Sequence, residues 1–178
     1  GVHHKTNQVD LGGGLNQVLY GRNNTPYNAA AAATRVIVGN SITNTGSNSV
    51  NVGVSITNPV TANSGRDSVL VGNTIANNSG VGCTIVGNNA TCNAISSNTR
   101  GTSFGYGTTV AGRSVVVGYG AQSANEINTV VGYQAATGAS NTNCVLVGSS
   151  VTCSASSTTV VGQSSSATGS LAIAMGSS

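Results

Sequence analysis

The chain has 178 residues, of which 5% are charged and 3% aromatic, and its formal net charge is +3. Six scattered cations argue against nucleic acid as a partner, and no apolar stretch approaches the roughly 18 residues of a membrane span, so membrane insertion is not expected. The sequence also lacks most of the large side chains that fill a conventional globular core. Ordered structure therefore depends on a repeat.

The chain divides at residue 18. Residues 1–17 are predicted to be an N-terminal tail or linker, and residues 18–178 a single repetitive domain. The first unit of this domain, residues 18–34, is atypical because it contains five consecutive alanines. The chain begins with Gly and shows no signal peptide, so we expect a fragment of a longer protein.

A four-residue pattern, apolar–x–apolar–Gly, recurs along the domain, for example at residues 36–39 and 115–118. We call the glycine of each pattern the bend glycine. From the second unit onward these are Gly39, Gly53, Gly72, Gly87, Gly105, Gly118, Gly132, Gly148, Gly162 and Gly176. Successive ones lie 14, 19, 15, 18, 13, 14, 16, 14 and 14 residues apart. The base period is thus 14 residues, with insertions in some units.

Each unit predicts two short strands that are joined by a bend. Its β-branched block favours a strand, and glycine suits a sharp bend or a close backbone approach. Three residues after the bend glycine a second apolar residue recurs, as at Ile42, Ile75 and Val151. Units this short cannot bury an apolar face alone, so they must stack as coils. The sequence therefore predicts an all-β parallel β-roll, a solenoid of about ten coils.

Both faces of the strand before the bend glycine are apolar. The residues one and three before the glycine point to one face, and the residue two before it points to the other. A single thin roll has one interior, so the second face needs a partner surface. Self-association about an axis is the simplest source of that surface, and a wider monomeric solenoid is the alternative.

Residues 114–121, Ser-Val-Val-Val-Gly-Tyr-Gly-Ala, resemble the head repeat of trimeric autotransporter adhesins, the YadA-like family. So do residues 68–72, 129–135 and 170–176, and the resemblance covers residues 35–178. It implies a left-handed parallel β-roll in which three chains form a homotrimer. The chain departs from the family in its cysteines, in its long inserts before residues 68 and 101, and in its lack of a heptad stalk and membrane anchor.

Residues 12–21, Gly-Gly-Gly-Leu-Asn-Gln-Val-Leu-Tyr-Gly, resemble a segment common in tail-fibre-like proteins of aquatic viruses and phages. This second match is short. It favours a virion fibre over a bacterial surface protein.

The four cysteines form two pairs of identical spacing, Cys83 with Cys92 and Cys144 with Cys153. Each pair brackets a bend glycine, so strands that fold back at the bend bring its members face to face. We predict the disulfides Cys83–Cys92 and Cys144–Cys153, and with them an oxidising, extracellular setting. Free buried thiols are the alternative. Zinc is not expected because no His lies near either pair.

Two sets of outward residues are candidate glycan contacts. One set directly follows the bend glycine in three consecutive coils, so stacking aligns it as an aromatic ladder: Tyr106, Tyr119 and Tyr133. The other set lies on inter-coil loops and would form threefold rings in a trimer: Arg66, Arg100 and Arg113. The alternatives are ladder packing at a turn for the tyrosines and solubility of a charge-poor surface for the arginines.

We expect no catalytic activity, no cofactor and no bound metal. The acids of the whole sequence are Asp10, Asp67 and Glu126, and its imidazoles are the adjacent His3 and His4. A nucleophile needs a neighbouring base and an orienting group, and calcium needs several convergent carboxylates. Three Asn-x-Ser/Thr sequons, at residues 23, 77 and 89, would matter only in a eukaryotic host.

The sequence predicts a trimeric attachment head of a fibre that binds a host-surface glycan or protein. We expect it on a virion surface, with a bacterial cell-surface adhesin as the alternative. A rigid structural spacer is a second hypothesis. A third is ice binding, because the residues two and four after the bend glycine, such as Ser41 and Thr43, form an approximate Ser/Thr column. That column breaks at Gln122, Gln134 and Ala136.

Overall fold

The computed structural model describes residues 17–26, 34–44, 48–58, 67–78, 81–93 and 100–177, and these contain strands, turns and bends but no helix. The tail (1–16), the alanine insert (29–33) and Arg66 lie outside the described residues. In chain order the strands are β1 (Gln17–Arg22), β2 (Thr25–Pro26), β3 (Arg35–Asn40), β4 (Thr43–Asn44), β5 (Ser49–Asn58), β6 (Val69–Asn78), β7 (Thr84–Asn88), β8 (Thr91–Asn93), β9 (Thr102–Tyr106), β10 (Thr109–Ala111), β11 (Val115–Tyr119), β12 (Thr129–Tyr133), β13 (Ala136–Thr137), β14 (Val145–Ser149), β15 (Thr152–Cys153), β16 (Thr159–Gln163), β17 (Ser166–Ala167) and β18 (Ile173–Ser177).

The strands stack in parallel, coil upon coil, as a β-solenoid of about nine turns. We call the part of a coil that ends at its bend glycine the first arm, and the part that follows it the second arm. The first arms form the path β1-β3-β5-β6-β7-β9-β11-β12-β14-β16-β18 of one large sheet. Equivalent residues pair in register, so that Val116 lies between Ser103 and Val130. The predicted all-β parallel solenoid is therefore confirmed.

The bend glycines stack directly on one another, and this contact leaves no room for a side chain. Gly118 has φ 140°, a value that L-residues rarely adopt. A Cβ at this position would overlap the carbonyl oxygen of Gly132 in the next coil, and the same overlap arises at every bend glycine from Gly21 to Gly162. Glycine is thus required by the close approach of two backbones as well as by the bend.

The interior of the roll is formed by the middle residue of the first arm and by the residue three after the bend glycine. The predicted second apolar positions Ile42, Ile75 and Val151 are at most 1% exposed, which confirms their burial. From the second coil to the tenth the middle residues are fully buried, namely Ile37, Asn51, Leu70, Ile85, Ser103, Val116, Val130, Leu146 and Val160. Their counterparts at the two ends, Leu19 and Ala174, are partly buried. Of the two apolar faces predicted for the first arm, this one lines the roll itself.

A buried asparagine ladder crosses the coils of β4, β5 and β6. The Asn58 amide donates to the Asn44 side-chain oxygen at 3.2 Å, and the Asn77 amide donates to the Asn58 oxygen at 2.9 Å. All three residues are fully buried. The ladder satisfies the polar groups that a narrow roll would otherwise bury without partners. It also removes Asn77 from the accessible sequons, since its side chain does not reach solvent in the folded roll.

Substitution of Gly118 by Ala should destabilise the roll by about 3 kcal/mol or more, because the new methyl group forces two coils apart. Gly169→Ala is the matched control, since a Cβ there meets no atom within 4 Å. Urea denaturation followed by circular dichroism measures both variants. Equal midpoints for Gly118→Ala and the unmodified chain would contradict the stacked-glycine arrangement.

Substitution of Asn51 by Leu should stabilise the roll by about 1–3 kcal/mol, since neither atom of its buried amide has a hydrogen-bond partner. Asn51 lies in the interior column between Ile37 and Leu70, where an apolar side chain of similar size fits. Asn58→Leu is the control and should destabilise, because it breaks the asparagine ladder. Urea denaturation followed by circular dichroism measures both variants. A lower midpoint for Asn51→Leu than for the unmodified chain would contradict the conclusion that the buried Asn51 amide lacks hydrogen-bond partners.

Candidate functional site

An apolar stripe covers the outer surface of the first-arm sheet; we call it the apolar face. It is formed by the residues one and three before each bend glycine, on the side opposite the interior. Its most exposed central members are between 36% and 41% exposed: Val69, Val86, Phe104, Val115, Val145 and Val147. The valines between them, such as Val117 and Val131, are half-buried. This is the second apolar face predicted from the sequence, and none of the described residues of the chain covers it.

The apolar face is flanked by two rims. In β11 the alternation of the strand points Val115 and Val117 outward, and the exposed residues Arg113 and Tyr119 lie before and after them. We call the residues five before the bend glycines the leading rim, and those directly after them the trailing rim. Each outward row thus begins on the leading rim, crosses two positions and ends on the trailing rim. Both crossed positions are apolar except in four coils, where threonine is the first of the two: Thr84, Thr102, Thr129 and Thr159.

The three tyrosines of the trailing rim form the predicted ladder. Tyr119 lies between Tyr106 and Tyr133, with ring centroids 5.1 and 5.3 Å apart and ring planes within 11° of parallel. Because the faces point at one another along the roll, solvent reaches mainly the ring edges and phenolic hydroxyls. A flat aromatic platform for a sugar is therefore available only at the two ends of the ladder, and elsewhere a ligand would meet hydroxyl groups.

The described arginines among the glycan candidates, Arg100 and Arg113, both lie on the leading rim, directly opposite the tyrosines of the same coils. Arg113 is 56% exposed and forms an ion pair with Glu126 at 3.4 Å. A surface pair of this kind contributes little to stability. The Arg113 guanidinium retains donors for another partner, since arginine carries five N–H groups.

The outward column of the second arm carries no charged residue in the described coils. Its outward residues pair coil to coil in one column, Thr43, Thr57, Ala76, Thr91, Thr109, Gln122, Ala136, Thr152 and Ser166. The residues two after the bend glycine do not extend this surface as a second flat column. Ser41 and Ser55, for example, have φ of 56° and 53°, so they turn the corner between the arms in a left-handed conformation.

Both predicted disulfides, Cys83–Cys92 and Cys144–Cys153, are present. Each crosses the interior of one coil, and the four cysteine side chains of the two disulfides are at most 2% exposed. In other coils the same two positions hold hydrogen-bonded polar pairs. Ser123 donates to Ser114 at 3.0 Å, for instance, and Asn77 donates to Ser68 at 3.2 Å. The same interior position therefore holds a disulfide in some coils and a hydrogen-bonded pair of polar side chains in others.

The buried polar residues were not recognised from the sequence. Asparagine is a residue type common in loops, so residue type alone indicates loop positions for Asn44 and Asn58. Their burial would have been recognised only by comparing the residues five positions after the bend glycine from coil to coil. Arg35 is a further case, since it is 3% exposed and lies at the same interior position in the coil of β3. Burial lowers the pKa of its guanidinium below the ordinary value.

Reactive side chains do not converge anywhere in the described part of the chain. No group of three His, Cys, Asp or Glu residues lies close enough to hold a metal ion there. A shallow depression at the last coil, beside Ile173 and Met175, is lined by serine, glycine and apolar residues without a titratable side chain. Among the described residues no helix has the length and apolarity to span a membrane.

Comparisons with known proteins identified no similar protein. No family model matches the chain, no curated protein matches it, and no solved structure matches it. The functional interpretation therefore depends on the roll, its apolar face, its two rims and its buried disulfides.

The four cysteines should resist alkylation in the folded protein without reductant, because all are paired and buried. Iodoacetamide should leave the intact mass unchanged in urea, and add four labels only after reduction in urea. A mass shift before reduction would contradict the disulfides.

Replacing Cys144 and Cys153 together by Ser should lower the free energy of unfolding by roughly 2–3 kcal/mol in the chain-entropy account of short disulfide loops.

Proposed function

We propose that this chain is the head domain of a homotrimeric attachment fibre that binds a host-surface glycan or protein. The observation that carries the proposal is the apolar face, which runs along the first-arm sheet and is not covered by any part of the chain that the structure describes. Contiguous exposed apolar surface on this scale is typical of an interaction site. Two further copies of the same chain fit it best, because every copy has the same rise per coil and the same apolar row in each.

The trimer buries the apolar face and leaves the second-arm surface and the rims to meet a receptor. Three first-arm sheets around one axis close on themselves, whereas an open pairing would leave further apolar edges uncovered. The resemblance to YadA-like head repeats, with its left-handed roll, agrees with this arrangement. The tyrosine hydroxyls and the guanidinium groups of Arg100 and Arg113 are the proposed contacts for a glycan, in keeping with their exposure.

The proposed setting is extracellular. Two disulfides in a chain of this size are typical of an oxidising compartment, and a roll with few charged side chains and buried cross-links suits a fibre outside the cell. The short tail-fibre-like segment at residues 12–21 favours a virion surface over a bacterial one. A rigid spacer with its receptor site elsewhere shares the same fold and trimer, and only binding experiments separate it from an attachment head.

Ice binding receives less support from the geometry. An ice-binding surface needs flat, regular columns of hydroxyl groups, but the outward column of the second arm is interrupted at Ala76, Gln122 and Ala136. The neighbouring left-handed corner positions do not supply a second column.

Replacing Val117 by Glu should convert the trimer to single chains, since three carboxylates without partners would be buried on the axis at several kcal/mol. Light scattering should give three chain masses for the unmodified protein and one for the variant. The matched control is Gln122→Glu, which places the same charge on the exposed second-arm surface of the same coil and should leave the trimer intact.

Receptor binding is read out with the same proteins on a glycan array and on host cells. Val117→Glu should lose most of the signal, because three linked weak sites bind far more tightly than one. A mass of one chain for the unmodified protein would overturn the trimer. A trimer that binds neither glycans nor cells would favour the spacer.

A further inference from the structure

Within one chain the two rims of a coil are far apart. Arg113 and Tyr119 are six positions apart in the chain, which for extended backbone at about 3.3 Å per residue is about 20 Å. Neither side chain can reach the other across that distance. Both lie on the same outward row and border the same apolar face, with Arg113 56% and Tyr119 50% exposed.

The two rims nevertheless match each other in size, coil by coil. In three successive coils a large residue on the leading rim accompanies tyrosine on the trailing rim, as Arg100 with Tyr106, Arg113 with Tyr119, and Ile127 with Tyr133. In the coils of β3, β5, β6, β7, β14 and β16 both are small or medium-sized and, apart from Asp67, uncharged: Thr34 with Asn40, Asn48 with Val54, Asp67 with Asn73, Gly82 with Asn88, Asn143 with Ser149, and Ser157 with Gln163. The last described coil, with Leu171 and Ser177, departs from this match, and in the first coil Arg22 lies on the trailing rim while residue 16 of the leading rim lies outside the described residues.

We infer that the trailing rim of one subunit lies against the leading rim of the next, so that Arg100 and Arg113 contact Tyr106 and Tyr119 of a neighbouring copy. This inference rests on the proposed trimer. When equal first arms follow one another in the same sense around an axis parallel to the roll, each arm ends beside the start of the next. The trailing-rim residue of a coil in one subunit then lies at the same height as the leading-rim residue of the equivalent coil in the next subunit. This contact between subunits explains why the two rims match in size although they do not touch within one chain.

The chemistry of the contact follows from the ladder. Because the tyrosine ring faces are turned toward one another, the groups presented to a neighbour are ring edges and phenolic oxygens. A phenolic oxygen accepts a hydrogen bond from a guanidinium group. Ile127, which is 47% exposed, is suited to cover the apolar edge of Tyr133.

The contact turns the candidate glycan residues into one composite seam. Three such seams run along the trimer, each lined by tyrosine hydroxyls of one subunit and arginines of the next. A receptor that binds these residues would therefore recognise the assembled trimer and not the single chain.

Chemical cross-linking tests the contact. In the variant Arg113→Cys with Tyr119→Cys, a short bis-maleimide, less than half as long as the distance within one chain, should join neighbouring subunits. Denaturing gels should then show covalent trimers. The native cysteines do not interfere, since all four are in buried disulfides. Each single variant, and Arg113→Cys with Gln163→Cys in a different coil, should remain uncross-linked.

Light scattering of the same samples before cross-linking keeps the two proposals apart. A trimeric mass without covalent trimers in the Arg113→Cys, Tyr119→Cys variant would overturn the rim contact and leave the trimer standing. A mass of one chain would overturn both. Covalent trimers in the variant with residues 113 and 163 replaced would overturn the coil-to-coil register on which the contact depends.

Discussion

Direct stacking of one bend glycine on the next is the contact on which the rest of the roll depends. The carbonyl oxygen of each bend glycine occupies the space that a side chain of the preceding one would need. This fixes the level of every coil relative to its neighbours, whatever the length of the loop between them. Because the level is fixed at the bend, the interior columns, the apolar face and both rims all stay in register along the roll.

The same contact explains why the fold was predictable from the sequence. A glycine that recurs at a fixed place after an apolar–x–apolar block marks both the strand and the bend, and the loop insertions do not obscure it. The burial of Ile42, Ile75 and Val151 and both disulfides followed from positions counted from that glycine. A narrow roll has only a few kinds of position, so the number of residues from the bend glycine to a side chain nearly determines whether that side chain is buried or exposed.

Prediction from the sequence failed where polar side chains are buried. Asparagine and serine are common at the surface and in turns, and nothing in Asn44 or Asn58 alone distinguishes a ladder inside a roll from a solvated loop. The ladder arises only when equivalent positions of three coils are superimposed. The tyrosines show a related difficulty, since their alignment was predictable but the orientation of their ring faces along the roll was not.

The interior position of the disulfides bears on when they can form. Each one joins residues 9 apart within a single coil, so it can close while that coil is still a loose hairpin. Once the neighbouring coils are in place the sulfurs are shielded from any oxidant or oxidoreductase. The sulfurs are therefore most accessible to an oxidant before the coils that contain them are stacked, so the roll that shields the two bonds from reduction also favours their formation in the incompletely wound chain.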